Sequence, residues 1–125
     1  MLNCYLRLAI VVVSLGGAID TFGQQATEMF IPIGQSPGLS TEGTVIGTLE
    51  SMDREKRTMT IAHPTGAQTV GFTDRTMIWL DRSQQKQPNQ NGTANDLQQG
   101  RRVEVKVLKG EPKPVAEWIK VQVGP

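Results

Sequence analysis

Only one cysteine and one histidine occur in the 125 residues, which leaves few parts for histidine-dependent catalysis or a thiolate zinc site. An excess of one charge is lacking too: 13 Lys and Arg face 12 Asp and Glu, for a formal net charge of +1. That balance provides no electrostatic footprint for wrapping nucleic acid or gripping an anionic membrane, so no nucleic-acid partner is expected. No nucleophile elbow, phosphate-cradling glycine loop or paired-carboxylate motif occurs, and the chain does not read as an enzyme. The length allows one small domain.

Nor is there an apolar run long enough to cross a bilayer. The stretch Leu8–Ile19 is closed by Arg7 and Asp20, whereas a spanning helix needs roughly 20 apolar residues. A positive side chain ahead of a short apolar core is the plan of a secretory signal peptide. Cleavage falls near Ile19 or Gln24, and Gln24 is preferred, which makes 1–23 the leader; an uncleaved anchor is the lesser alternative. Cys4 precedes the apolar run, unlike the lipid-modified cysteine of a bacterial lipoprotein. Loss of the leader also removes the thiol, so the exported chain is expected to carry no disulfide, thiolate ligand or redox centre. No cofactor, metal or stable membrane anchor is expected, and the location is periplasmic or secreted.

Residues 24–42 carry Pro32, Pro37 and several Gly and Ser, a composition that opposes long helix and regular sheet. This stretch reads as a flexible linker. Its apolar patch, Met29 to Ile33, either docks on the domain or meets a partner; docking is preferred. From Gly43 the pattern changes to short alternating runs, the signature of half-buried strands. Val45 and Leu49 share a face across Gly47, which marks a bend. Met59, Ile61 and His63 alternate in the next run, Val70 and Phe72 in a third, and Ile78 and Leu80 continue that third strand after a kink. Asp81 to Asn95 is polar without a large apolar residue, and reads as a mobile loop. Asn95 to Gly100 suits a single helical turn that plugs Leu97 into a barrel end. Val103, Val105 and Val107 form the clearest alternating strand, and Ile119, Val121 and Val123 the last. Ala116 and Ile119 both suit the core but are three apart, so a bulge is expected near Glu117.

One apolar face on five short strands stays dry only if the sheet curls. The expected fold is therefore all-β: a small five-stranded OB-like barrel over 43–125, with one helical turn. The run Gly43–Asp53, then Arg57–Ile61, then Asp96–Gly100 ahead of Val103–Val107, and finally Ala116 with Ile119–Val121, resembles small exported bacterial OB-like domains of unknown function. More distantly the chain is similar to the periplasmic copper and silver chaperones of heavy-metal efflux pumps. That resemblance implies a soft monovalent ion held by a His ending the second strand, a nearby Trp and two Met on the third. His63 fits the His position. Gln68 and Val70 stand where the two Met would lie, and the Trp position falls near Thr65, so the resemblance carries the fold and leaves the ligand set incomplete.

Four side chains are candidate binding residues. His63 either closes its strand with a local hydrogen bond or joins Met77 and Trp79 as a soft-metal ligand set, thioether and imidazole both suiting Cu(I). Met59 shares the parity of Ile61 and reads as core. Trp79 and Trp118 sit on outward faces, where a ring can anchor a partner or polysaccharide; capping by the linker or by the Gln/Asn loop explains them as well. Arg101, Arg102, Lys106, Lys109, Lys113 and Lys120, interleaved with Glu104, Glu111 and Glu117, read as a solvated face. The leading expectation is an exported non-enzymatic binding module of the periplasm or cell envelope, its ligand open and another envelope protein the candidate partner. The alternative is a periplasmic copper or silver carrier.

Overall fold

The computed structural model describes residues 27–124; the leader expected over 1–23 lies outside them. The alternating runs become strands, with Phe72 and Val123 just beyond their ends: β1 (Thr44–Asp53), β2 (Thr58–His63), β3 (Gly66–Gly71), β4 (Met77–Asp81), β5 (Gln90–Asn91), β6 (Arg102–Val107) and β7 (Ala116–Gln122). They lie in the order β3-β2-β1-β6-β7-β4-β5. Every neighbouring pair is antiparallel except β4 and β7, which run parallel.

The curl comes from β1, which serves two neighbours in turn. Thr44 to Thr48 pair with β6, and Thr48 to Asp53 pair with β2, with a register shift between Leu49 and Ser51. Gly47 sits at this handover: a Cβ there would lie 2.1 Å from the Ala62 carbonyl oxygen and 2.8 Å from Ile61 Cγ2. Only a residue without a side chain lets β1 pass so close to β2.

The third strand is kinked, as its sequence suggests. Its first half, β3, pairs with β2; after residues 72–76 its second half, β4, lies beside β7. At the kink the Gly71 amide donates to the Pro114 carbonyl at 2.8 Å, and Gly71 forms a single parallel bridge with Val115. The barrel is thus completed by the chain path and one bridge, and its hydrogen-bonded ladder is not closed. The architecture is OB-like and mostly β, with β5 as a short addition outside β4.

The interior is built from Leu49, Met59, Ile61, Val70, Phe72, Leu80, Leu97, Val103, Val105, Ala116, Ile119 and Val121, with Val45, Ile78 and Val107 partly buried against it. Ala116 and Ile119 both point inward because Glu117 is the extra residue of a bulge: Lys106 pairs with Trp118, and Val107 with Ala116. Leu97 plugs the barrel after a 3-10 turn, Ala94–Asp96. Its N-cap is Thr93: the Thr93 hydroxyl accepts from the Asn95 amide, and Asp96 accepts from the Thr93 amide.

The polar stretch Asp81 to Asn95, read as a mobile loop, holds the end of β4, a 3-10 turn at Ser83–Gln85, and β5. Hydrogen bonds order it in place of apolar burial. Asn89 accepts from the Arg82 amide at 3.0 Å and donates to the Met29 carbonyl at 2.9 Å, and Asp81 accepts from the Ser83 amide. Among the described residues no helix is long and apolar enough to cross a membrane.

Candidate functional site

Strand parity sends Trp79, Trp118, Glu104 and Lys120 to the outside of the barrel, and pairing brings them together. Glu104 lies opposite Lys120, and Lys120 opposite Trp79. The two indoles stack with centroids 5.4 Å apart. Sequence reasoning placed these rings outward, and the structure adds that they are covered, at 3% and 5% exposure.

What covers them is the stretch 27–43, which crosses the face as a strap. Ile33 is buried, and its amide donates to Asp81 at 2.9 Å, so the apolar patch docks, while Phe30 remains exposed. Lys120 Nζ lies 2.8 Å from Glu28, 4.0 Å from Glu104 and 3.2 Å from the Ser36 hydroxyl. It also sits 4.8 Å from the centre of the Trp118 ring. Glu104 accepts from the Thr44 hydroxyl at 2.8 Å, from the Gly34 amide at 3.3 Å and from the Ser40 hydroxyl. The expectation that this face is solvated is therefore corrected at two positions: Glu104 and Lys120 are fully buried. Their charges are tolerated because each meets an opposite charge and hydroxyl or amide partners. Lys106 stays partly exposed, paired with Glu117 at 3.1 Å.

The other two candidates are placed apart. His63 ends β2 opposite Gly66, half-exposed, with Nδ1 2.9 Å from the Thr65 hydroxyl. Met77 begins β4 and is 37% exposed, in register with Trp118. Between Gly66 and the kink runs the whole of β3, roughly 15 Å of strand at the usual rise. His63 follows the inward parity of Met59 and Ile61, whereas Met77 and Trp79 point outward. Trp79, Trp118 and Met77 are thus brought together, and His63 is not among them. Among the described residues no group of three His, Cys, Asp or Glu is placed to hold a metal ion.

A different site forms at the barrel mouth. A cleft of about 340 Å³ opens between the β1–β2 hairpin, the kink at 72–76 and the turn after β5. Phe72, Ile78 and Ala94 supply its apolar side, and Arg54 and Arg57 its rim. Arg57 is paired with Asp74 at 2.8 Å, both well exposed. Arg54 donates to the side-chain oxygen of Asn95, a neutral partner. The kink is pinned by Thr76, whose hydroxyl donates to the Ala116 carbonyl at 2.8 Å and accepts from the Thr73 amide. Gly92 keeps the wall thin, since a Cβ there would meet Leu80 at 2.8 Å and Asp96 at 3.0 Å. Nothing local in the sequence marks Arg54 and Arg57, because the cleft joins three distant turns.

No family model and no curated protein matches the chain. Among solved structures it is distantly similar to CusF from Escherichia coli, residues 10–88 with Ag(I), at 16% identity and a TM-score of 0.45, covering 63% of this chain and 89% of that one. A second Ag(I) CusF crystal structure matches at 14% identity and a TM-score of 0.43, covering 62% and 93%. A Cu(II) form of a CusF variant from the same organism matches at 15% and 0.45, covering 63% and 89%.

Proposed function

We propose that this chain is an exported, non-enzymatic OB-like binding module of the bacterial periplasm or cell envelope, and that its ligand enters the barrel mouth. The observation that carries this is the cleft between the hairpin, the kink and the turn after β5, at about 340 Å³. That is within the size range of small-molecule sites, and it pairs apolar walls with few polar groups. The outward sheet face is occupied by the strap, and of the clefts that remain the one at the mouth has Phe72, Ile78 and Ala94 as apolar wall beside two arginines. Its titratable lining is Arg54, Arg57 and Asp74, with no general base beside a nucleophile, which favours binding over catalysis.

Titrating a panel of anionic, cationic and neutral small molecules into isotopically labelled protein is expected to shift the amides of Phe72, Thr73, Gly92 and Thr93 together. Shifts confined to other surfaces, or none, would overturn the assignment. The alternative, a copper or silver carrier using His63, Met77 and Trp79, needs these side chains to converge. With His63 held by Thr65 and a strand's length away, Ag(I) at micromolar concentration is expected to give no saturable change in tryptophan emission. A saturable change that His63→Ala abolishes would move the assignment to the carrier.

A further inference from the structure

We propose that the cleft at the barrel mouth takes a small amphipathic carboxylate, its apolar body against Phe72 and Ile78 and its headgroup on Arg54. The inference rests on the binding reading above and adds the chemical class of the ligand. It follows from which polar groups of the wall are free to recognise anything. The Thr73 amide donates to Thr76, the Thr73 hydroxyl accepts from the Arg75 amide, and the Thr76 hydroxyl donates to the Ala116 carbonyl. The Thr93 amide and hydroxyl are engaged with Asp96 and Asn95, and the Gly92 amide donates to the Ile78 carbonyl at 2.7 Å. Apart from the Thr73 hydroxyl proton, those donors are committed to holding the cleft open.

The two arginines differ. Arg57 is neutralised across the rim by Asp74. Arg54 has, among the described residues, no carboxylate partner, and spends a donor on the neutral Asn95 side chain. A guanidinium carries five N–H donors in a planar fork that matches a carboxylate edge. One uncompensated cation above an apolar floor, with the surrounding hydroxyls already bonded, selects a ligand that needs a single anionic contact and otherwise buries hydrocarbon. A polyol would find only the Thr73 hydroxyl proton free among the threonine and glycine donors named, and a cation would meet Arg54. The volume holds an acyl chain of medium length or about two rings.

The test uses octanoate, its uncharged counterpart octanamide, and acetate, each titrated into the labelled protein with and without Arg54→Gln. Octanoate is expected to shift Phe72, Gly92 and Thr93 saturably, with octanamide about tenfold weaker or more, the scale of one charge-assisted hydrogen bond, and acetate weaker still, because it keeps the charge but loses about 0.8 kcal/mol for each methylene it cannot bury. Arg54→Gln should weaken octanoate by about tenfold and leave octanamide unchanged. Arg54 is exposed on a hairpin, so the variant keeps the fold, and matching amide spectra verify it. If octanamide binds as well as octanoate, or Arg54→Gln changes neither, the carboxylate assignment is overturned while the cleft stands. If none of the three probes shifts the cleft but other members of the panel do, the carboxylate class alone is overturned. Silence from every compound overturns the binding reading as well.

Discussion

Lys120→Met should cost about 3 kcal/mol of folding stability, near the lower end for removing one member of a buried ion pair. The side chain is fully buried between Glu28 and Glu104. Methionine keeps most of its volume and removes the charge, so packing changes little and the electrostatics dominate. Glu104 is left inside without a cation. The loss sits near the bottom of the range because Thr44, Gly34 and Ser40 still donate to it. Urea denaturation measures the change as a lower midpoint at an unaltered slope. Adding Glu104→Gln to Lys120→Met should recover a good part of the loss, because the charge that lacks a partner is then gone as well. A Lys120→Met protein as stable as the parent would show that the strap is held by something other than this network.

Trp118→Ala is expected to be more damaging, by about 4 kcal/mol, as for other buried aromatic-to-alanine changes. The ring stacks on Trp79 and lies under Lys120 Nζ, so its loss opens a cavity and removes the face that the ammonium rests on. Trp79 then reports directly: its emission should move to longer wavelength as water reaches the space. Trp118→Phe, which keeps a ring, should lose much less. If Trp118→Ala leaves both stability and emission unchanged, the covered outer face is not a second packed layer.

Where local pattern and final environment agree, the sequence was readable. The alternating valines of β6, the glycine at the bend of β1, the bulge implied by the spacing of Ala116 and Ile119, and the Leu97 plug all depend on neighbours within a few residues or on strand periodicity. The kink in the third strand was readable too, because Phe72 and Ile78 belong to the interior while Thr73 to Arg75 cannot. Glu104 and Lys120 were not readable. Their alternation with valine and isoleucine is that of any solvated strand face, and what buries them comes from Glu28, Ser36 and Ser40, up to 92 positions away. The stretch after Asp81 misled for a related reason: low apolar content predicts weak collapse, yet Asn89 and Asp81 are ordered by backbone partners that composition does not reveal. The mouth cleft was legible only as separate turns, since Arg54, Phe72 and Gly92 belong to different elements.

The parallel pairing of β4 with β7 has a consequence for how the chain acquires its structure. Half of the third strand finds its long ladder partner only in the last one, and the buried lysine that anchors the strap sits on that same last strand. Early hairpin formation by β1, β2 and β3 can proceed locally, but neither the ring nor the outer layer can assemble before the C-terminal residues are present. Such non-local topology slows folding. Termination ahead of β7 would therefore abolish the cooperative transition instead of trimming it.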